Sequence, residues 1–220
     1  GFDRFSTLSF GNLETYDNDN IITSYRLEEI LSQRSKNAIF PVKPSSIAFI
    51  QCFGSRDIQE KAMYCSRVCC GYSTMAARVI KQYYPDARVV FFYMDLQEVG
   101  AGEYFKTLGD EGIEFIRCRP VNTVPGNPAG IIYEDPKTGR VMESKFDIVV
   151  LSEGMHPPED VDKVAEACTL GTDGNGFLKL VKNGRETGIY LAGCASGPKG
   201  INETYTEALT AARSIQAETE

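Results

Sequence analysis

The sequence has no long hydrophobic run, only one histidine and no surplus of basic residues. A membrane helix needs roughly 20 consecutive apolar residues, and no segment approaches that length, so we expect no direct membrane insertion. Lysine and arginine number 23 against 30 aspartates and glutamates, and the net charge is −7. Because nucleic-acid affinity depends mainly on clustered basic side chains, this balance excludes nucleic acid as a partner. A hydrolase built on a histidine would have to use His156, which the loop sequence GMHPPED predicts to be exposed.

The rest of the composition is typical of a globular chain from a reducing compartment. With 220 residues and 42% hydrophobic content, the chain can bury a core without disulfides. The seven cysteines are odd in number, follow no hydrophobic leader and lack the spacing of a secreted framework, so we expect a cytoplasmic protein. The chain begins at Gly1 rather than at a methionine, which leads us to expect a cut or processed product.

The first half of the chain contains a strand, a helix and a second strand in that order. The segment TSYRLEEILSQ predicts a short helix capped by Thr23 or Ser24. An apolar run at 46–52 predicts a strand, 66–84 has a helical pattern that ends before a proline, and 87–95 predicts the next strand. A strand-helix-strand unit almost always crosses over right-handed, so we expect a parallel sheet.

The second half continues this alternation of helices and strands. The patterns predict a helix at 102–112, a strand at 113–121, two or three strands within 129–151, a helix at 157–171, and a strand, glycine-bearing loop and helix within 188–218. The chain is therefore expected to adopt an α/β fold.

Four cysteines lie close together at the end of the first predicted strand and the start of the following helix: Cys52, Cys65, Cys69 and Cys70. In a parallel α/β sheet this crevice is where ligands bind, and a dinucleotide would need a G-x-G-x-x-G loop there. The sequence at that position is QCFGSRD, so thiols stand where the phosphate-binding glycines would be.

A set of four thiols suits either zinc or an iron–sulfur cluster. The adjacent pair Cys69 and Cys70 fits poorly around one ion, because neighbouring side chains diverge, whereas divergent sulfurs can reach different corners of a cubane. The negative charge of such a cluster would be offset by Arg56, Lys61 and Arg67 and by the start of the helix.

Two simpler interpretations remain open for these thiols. Each cysteine could be a small buried apolar side chain, or two of them could form a redox disulfide. Outside the group of four, Cys118 and Cys168 lie alone in apolar patterns and are expected to be core residues.

Five segments of the chain resemble a known family: AFIQCFGSRD, YCSRVCCGYSTMAA, VVFFYMDL, VVLSEGMHP and GIYLAGCASGPKGINET. In that order, over nearly all of residues 1–220, they resemble HdrA, the iron–sulfur flavoprotein of heterodisulfide reductase, and its relatives in sulfate reducers. The resemblance implies a thioredoxin-reductase-like fold of the FAD/NAD(P)-binding Rossmann type. It assigns 1–46 to a linker and remnant of a FAD domain, 47–153 to an inserted, NAD-like nucleotide-type domain that carries the cysteines, and 154–220 to the returning segment of a truncated FAD domain.

The resemblance also implies cofactors and their residues. A [4Fe-4S] cluster held by Cys52, Cys65, Cys69 and Cys70 would exchange electrons with FAD. The small-residue loop before the last helix places backbone N–H groups toward an anionic ligand. Many flavoenzymes carry an aspartate where this chain, like the resembled family, has Cys194. The expected flavin neighbours are Gly193, Cys194, Lys199 and Thr204.

Two departures from the family limit what carries over. Electron-bifurcating members have a lysine where this sequence has Met75, and a thioether donates neither a hydrogen bond nor a positive charge. We therefore expect a simple electron relay, comparable to components of the quinone-interacting complex of sulfate reducers. The family's first glycine-rich loop lies upstream of Gly1, so we expect FAD to bind weakly or to be lost and the isolated chain to be inactive.

The expected partners are other redox subunits of a heterodisulfide-reductase-like or quinone-interacting complex. A FAD domain without its first part would expose apolar surface, so a homodimer is a further expectation. The alternative function is a zinc-stabilised or thiol-containing module that docks subunits without redox activity.

Overall fold

The computed structural model describes residues 3–4, 20–33, 39–58, 60–97, 104–182 and 184–219. The chain divides into two compact units. We call Ser6–Phe53 with Cys69–Glu153 the sheet unit, and Gly1–Phe5 with Gly54–Val68 and Gly154–Glu220 the loop-helix unit. Along the chain, the sheet unit ends at Glu153 and the loop-helix unit resumes at Gly154.

The described residues contain twelve strands and six α-helices. The strands are β1 Asp3–Arg4, β2 Ile21–Thr23, β3 Ser46–Phe53, β4 Arg88–Phe92, β5 Ile113–Ile116, β6 Asn122–Val124, β7 Ala129–Glu134, β8 Val141–Phe146, β9 Ile148–Glu153, β10 Met155–His156, β11 Gly171–Thr172 and β12 Leu178–Lys179. The helices are α1 Ser24–Ser32, α2 Cys69–Tyr83, α3 Tyr104–Asp110, α4 Val161–Ala167, α5 Gly184–Thr187 and α6 Ile201–Thr219.

The sheet unit is built on a five-stranded parallel sheet with strand order β2-β9-β3-β4-β5. Its chain passes from β3 through α2 to β4 and through α3 to β5, which confirms the predicted strand-helix-strand unit. Strand β3 is buried from Ile47 to Phe53, as expected for a parallel strand covered on both faces. The strand order reverses at β3, because β4 lies on one side of it and β9 on the other.

Apolar packing holds this sheet against its helices. The rings of Phe49 and Phe91 stack with their centroids 4.7 Å apart, and both side chains are fully buried. Leu27 of α1 and Ile80 of α2 belong to the same core. The predicted cap of α1 is confirmed, since Thr23 Oγ1 accepts a hydrogen bond of 3.1 Å from the backbone N–H of Arg26.

A second, antiparallel sheet of β6, β7 and β8 also belongs to the sheet unit. The expected strands within 129–151 are confirmed as β7, β8 and β9. The sequence did not predict β6, whose three residues are too short for an alternating pattern.

The loop-helix unit has little regular sheet. Its described strands form two antiparallel pairs, β1 with β10 and β11 with β12. The predicted strand at 188–192 is wrong: among the described residues 189–192 have no paired strand, and the chain passes into a 3-10 helix at Gly193–Ser196. An apolar run becomes a strand only where a partner supplies ladder hydrogen bonds.

The last helix, α6, presents an unusual face to solvent. Its large apolar side chains Ile201, Tyr205 and Leu209 are exposed, whereas Thr204 and Glu207 are half-buried. No helix in the described part of the chain is long and apolar enough to cross a membrane.

Candidate cofactor sites

Cys52 lies at the carboxyl end of β3, where the backbone leaves regular strand geometry. Its φ is +62°, which lies in the left-handed region that residues other than glycine rarely adopt. The pairing of β3 with β9 also shifts register between Ile50 and Phe53, which is the mark of a β-bulge. Bulges re-aim side chains and occur beside functional sites. The irregular backbone therefore sets the direction of the Cys52 thiol at the point where the strand order reverses.

Three of the four expected thiols come together within the sheet unit. Cys69 and Cys70 are the first two residues of α2, and Cys69 is hydrogen-bonded to both Cys52 and Cys70. All three cysteines are buried, with exposed fractions of 1–2%. The hydrogen bonds with Cys52 and Cys70, together with burial, raise the pKa of Cys69 well above its ordinary value. Without a bound cation the Cys69 thiol is therefore neutral, and a metal would have to displace its proton.

Buried polar side chains of β3, α2 and β9 form a hydrogen-bonded group. Gln51 Nε2 donates a hydrogen bond of 2.8 Å to Ser152 Oγ, and Ser152 Oγ lies 2.9 Å from Ser73 Oγ. Among the described side chains, Gln51 Oε1 is one of two buried polar atoms without a hydrogen-bond partner. Gln51 directly precedes Cys52 in the sequence. The residue next to a candidate ligand therefore has a buried oxygen without a hydrogen-bond partner.

A tyrosine connects α2 with the end of β9. Tyr72 Oη donates a hydrogen bond of 2.6 Å to the backbone oxygen of Glu153, and the Glu153 carboxylate accepts bonds from Ser24 Oγ and the Tyr25 N–H, both of 3.2 Å. Burial is the main reason that the pKa of Tyr72 is raised well above its ordinary value. The start of α1 and the first turn of α2 are thus fixed to the same strand end.

Cys65 belongs to the loop-helix unit, where the residues on either side of it hold it in place. Tyr64 Oη donates a 2.9 Å hydrogen bond to Met155 O, and Ser66 Oγ accepts one of 2.9 Å from Met155 N. The backbone N–H of Arg67 donates to Cys65 Sγ at 3.3 Å. Cys65 therefore has a fixed backbone and a sulfur atom that accepts a backbone hydrogen bond.

The donor set fits a sulfur-ligated metal group better than a hard cation. In the sheet unit the three grouped cysteines are buried, and thiolates select zinc, copper(I) or iron–sulfur clusters. In the part of the chain that is described, no group of three or more cysteine, histidine or acidic residues has the geometry to hold one metal ion. Cys65 precedes Cys69 by four residues. Even a fully extended chain would therefore keep the two Cα atoms within about 14 Å of each other.

The four expected flavin neighbours lie in and after the 3-10 helix of the loop-helix unit. Gly193 has φ +69°, and a Cβ atom there would lie 3.0 Å from Thr204 Cγ2. A side chain is therefore disfavoured both by the backbone conformation and by the close approach of Thr204. The N–H of Gly193 donates a 2.9 Å hydrogen bond to Glu207 Oε2, and Cys194 Sγ lies 3.7 Å from the backbone oxygen of Lys199.

Lys199 is the central side chain of this loop. It is 9% exposed, and Nζ donates to Ser196 Oγ at 2.8 Å and to the two carboxylate oxygens of Glu207 at 2.7 and 2.8 Å. The hydrogen bond from Lys199 lowers the pKa of Glu207, and burial opposes this only in part. The ion pair leaves the loop with its positive charge already neutralised.

Sequence reasoning missed the two glutamates of α6 that organise this loop. Glu203 Oε2 accepts a hydrogen bond of 3.1 Å from the N–H of Gly200, and Glu207 follows one turn later. A glutamate three residues after a helix cap is the signal that could have identified Glu203. Glu207 contacts a residue 14 positions earlier and has no local signal.

Three further expectations are corrected by the structure. His156 is not exposed: it is half-buried, and its Nε2 lies 2.7 Å from Gly54 O, because 155–156 pair as strand β10. Cys118 and Cys168 are half-buried rather than core residues, because each follows the end of a short element instead of lying within it.

The fold is similar to those of a solved thioredoxin reductase and a solved N-hydroxylase. The thioredoxin reductase of T. acidophilum superposes on the whole chain with a TM-score of 0.64 at 15% identity, and the chain covers 64% of that structure. An ornithine N-hydroxylase of Kutzneria sp. 744, solved in a FADred–NADP+–L-orn form, gives a TM-score of 0.53 at 12% identity over 91% of this chain and 59% of its own. The chain therefore has the thioredoxin-reductase-like α/β fold that the sequence predicted.

Sequence comparison identifies relatives of this chain among curated proteins. The chain is 38% identical over 210 residues to the HdrA component of the H2:CoB-CoM heterodisulfide, ferredoxin reductase of Methanothermobacter thermautotrophicus. It is 32% identical over 242 residues to the corresponding component of the H2/formate:CoB-CoM heterodisulfide, ferredoxin reductase of Methanococcus maripaludis. These matches cover 88% and 98% of this chain. The expected resemblance is confirmed, and the chain is a homologue of a segment of HdrA.

The match is to part of those relatives. The chain covers 32% and 35% of their lengths, about a third of each. No family model matches the chain. The relatives are reductases by name, and the fold neighbours include thioredoxin reductases.

Proposed function

We propose that this chain is the electron-relay segment of an oxidoreductase component in which a thiol-bound [4Fe-4S] cluster exchanges electrons with FAD. The observation that carries the proposal is the buried thiol group of Cys52, Cys69 and Cys70 at the reversal point of a parallel sheet. This is the crevice in which such sheets bind their ligands. Homology to components of reductases supports a redox role for that position.

The cluster ligands we propose are Cys52, Cys69 and Cys70 of the sheet unit and Cys65 of the loop-helix unit. A [4Fe-4S] cluster accepts and donates single electrons at a potential set by its hydrogen bonds and burial. The bulge at Cys52 directs one thiol, and the start of α2 provides two more together with the positive end of the helix dipole. The N–H of Arg67 would offset negative charge on the Cys65 sulfur.

The FAD segment we propose is 154–220, with 47–153 as the inserted domain and 1–46 as linker and remnant of the FAD domain. Gly193 and Thr204 approach each other so closely that the loop can turn tightly before α6. Lys199 and Cys194 complete the loop. The neutralised Lys199–Glu207 pair indicates that Lys199 positions the loop backbone rather than supplying a free charge to a phosphate.

The relay we propose is a simple one without electron bifurcation. Met75 lies on α2 with 55% of its surface exposed, and its Sδ is 3.5 Å from Tyr104 Oη. A thioether at this position accepts a weak hydrogen bond and cannot supply the charge of a lysine. The partners we propose are other redox subunits of a heterodisulfide-reductase-like or quinone-interacting complex.

Anaerobic preparation tests the cluster directly. The chain, purified without oxygen and supplied with iron and sulfide, should be brown and absorb broadly in the visible range. It should contain about four iron and four sulfide per chain. A colourless protein that retains zinc would instead support the docking module, and a colourless protein with a disulfide among the four thiols would support thiol–disulfide chemistry.

A flavin titration tests the second cofactor separately. FAD added to the reconstituted chain should bind with an affinity that falls when Gly193 is changed to valine, because the added side chain meets Thr204. Gly174→Val is the matched control, since a Cβ atom at Gly174 has no neighbour within 4 Å. Equal FAD affinities for both variants and the parent chain would contradict the assignment of this loop to the flavin.

A further inference from the structure

Arg67 makes hydrogen bonds both to a candidate cluster ligand and to the loop that precedes α6. Its backbone N–H donates to Cys65 Sγ at 3.3 Å. Its side chain reaches the other way: Nη1 donates to Pro198 O at 3.4 Å, and Nη2 lies 3.0 Å from Glu203 Oε1. All of these residues belong to the loop-helix unit.

The backbone of Arg67 is held in a conformation that arginine does not prefer. Its φ is +64°, and such a conformation costs a non-glycine residue free energy unless surrounding contacts maintain it. The neighbouring residue Ser66 is fully buried and bonded to Met155 N, so the chain is fixed immediately before Arg67. The two ends of Arg67 are therefore held at once, one by the cysteine sulfur and one by the start of α6.

Glu203 transmits this contact into the candidate flavin loop. One of its carboxylate oxygens accepts the Gly200 N–H at 3.1 Å, and the other pairs with Arg67. The bond from Gly200 and, secondly, the bond from Arg67 lower the pKa of Glu203. Glu203 is therefore ionised at neutral pH, and its carboxylate joins the helix cap to the cysteine loop.

We propose that Arg67 is a positioning residue that couples the Cys65 end of the cluster site to the segment 198–203 of the flavin loop. A disturbance at one end is then transmitted to the other through the guanidinium and the backbone N–H of a single residue. Coupling of this kind is reciprocal, so a group bound at either site stabilises the other. The inference rests on the proposed function for the assignment of a cluster to one site and of FAD to the other. The contacts of Arg67 can be tested without either cofactor.

Hydrogen exchange of the metal-free chain measures the coupling. Glu203→Gln keeps an oxygen that can accept the Gly200 N–H but removes the charge that holds Arg67. The backbone amides of 65–68 should then exchange about two- to fivefold faster, the size expected for a half-exposed ion pair. In the opposite direction, Cys65→Ala removes the acceptor of the Arg67 N–H and should speed exchange in 199–204 by a similar factor.

Matched variants separate coupling from simple loss of charge. Arg67→Gln should accelerate exchange in both segments, and Arg67→Lys should restore part of the protection because it can still pair with Glu203. Adding Glu203→Gln to Arg67→Gln should have no further effect, since both remove one interaction. Lys163→Gln removes a positive charge from an exposed side chain of α4 in the same unit and should change neither segment.

The reconstituted chain gives an independent spectroscopic test. Arg67→Gln should alter the visible circular dichroism of the bound cluster, whereas Lys163→Gln should not. If each variant speeds exchange only in its own segment, or if Lys163→Gln acts like Arg67→Gln, the coupling is overturned. If the parent chain takes up no iron or sulfide, the proposed function fails, and the exchange results still decide the role of Arg67.

Discussion

Helix α2 of the sheet unit and helix α6 of the loop-helix unit differ in where their apolar side chains lie. In the sheet unit α2 buries Ala76, Ala77 and Ile80 against the sheet. In the loop-helix unit α6 exposes Tyr205 and turns polar residues inward. The first unit is therefore stabilised by burial of apolar surface, whereas α6 is held mainly by hydrogen bonds and ion pairs at its N-terminal end.

The same difference separates the two candidate sites. The thiol group is buried at the end of a strand, where a bound cluster would be shielded from solvent. The flavin loop depends on a half-exposed carboxylate of Glu207 and on the left-handed conformation of Gly193. Substitutions should therefore have large effects in the sheet unit and small ones in the loop-helix unit.

The largest effect is expected from loss of one thiol ligand. Cys69→Ser should abolish cluster incorporation, because a buried hydroxyl is a poor ligand for iron and Cys69 bonds to both neighbouring thiols. Iron and sulfide content after anaerobic reconstitution measures the effect. Cys118→Ser is the control and should incorporate as much cluster as the parent chain. A Cys69→Ser chain with full iron and sulfide would refute the ligand assignment.

Aromatic truncations compare the two units directly. Phe91→Ala removes a fully buried ring that stacks on Phe49 and Phe115, so the free energy of unfolding should fall by about 3–5 kcal/mol. Tyr205→Ala on α6 should cost less than about 0.5 kcal/mol, since its side chain is exposed. Urea denaturation followed by circular dichroism measures both. A cost for Tyr205→Ala comparable to that of Phe91→Ala would mean that α6 is packed against another surface.

A single methyl group tests the flavin loop. Gly193→Ala should lower the free energy of unfolding by about 1–3 kcal/mol, because alanine disfavours φ +69° and its Cβ would press on Thr204. Gly174→Ala has no positive φ and no neighbouring atom, so it should be nearly neutral. Thermal unfolding of the two variants side by side provides the measurement. Equal stabilities would show that the loop can relax at Gly193 without cost.

The smallest effect is a dependence of stability on pH. Lys199 lowers the pKa of Glu207 in the folded chain, so this group adds stability above the unfolded pKa of about 4.3, and the gain disappears as pH falls through the folded value. Because the Glu207 side chain is 39% exposed, screening limits the contribution to about 1 kcal/mol or less. Glu207→Gln should remove this part of the acid sensitivity, which sets in below the unfolded pKa of about 4.3, in a comparison of urea midpoints. An unchanged pH profile would contradict the ion pair.

The sequence predicted what depends on local patterns. Strand β3, helix α2 and strand β4 follow from apolar runs and a proline, and the Thr23 cap follows from residue type. The crowding of thiols at the end of β3 was visible in the spacing alone. Local patterns failed at 188–192, where an apolar run has no partner strand among the described residues.

Long-range features had no signal in the sequence. The left-handed backbone of Cys52 arises from a bulge between two strands about 100 residues apart. Residues 54–68 belong to a different unit from the strand before them and the helix after them, because they are grouped by their contacts with 154–220. Arg67 could be proposed as a positive charge from its type, but its bonds to Pro198 and Glu203 required the folded chain.

Mössbauer spectroscopy of the chain, reconstituted without oxygen using isotopically enriched iron, is the decisive test of the cluster assignment. We predict that the bound iron has tetrahedral sulfur coordination with the valence-delocalised signature of a [4Fe-4S] cluster, and that Cys69→Ser loses this spectrum. Iron in an oxygen or nitrogen environment, or a chain that excludes iron while its thiols are reduced and free, would contradict the assignment.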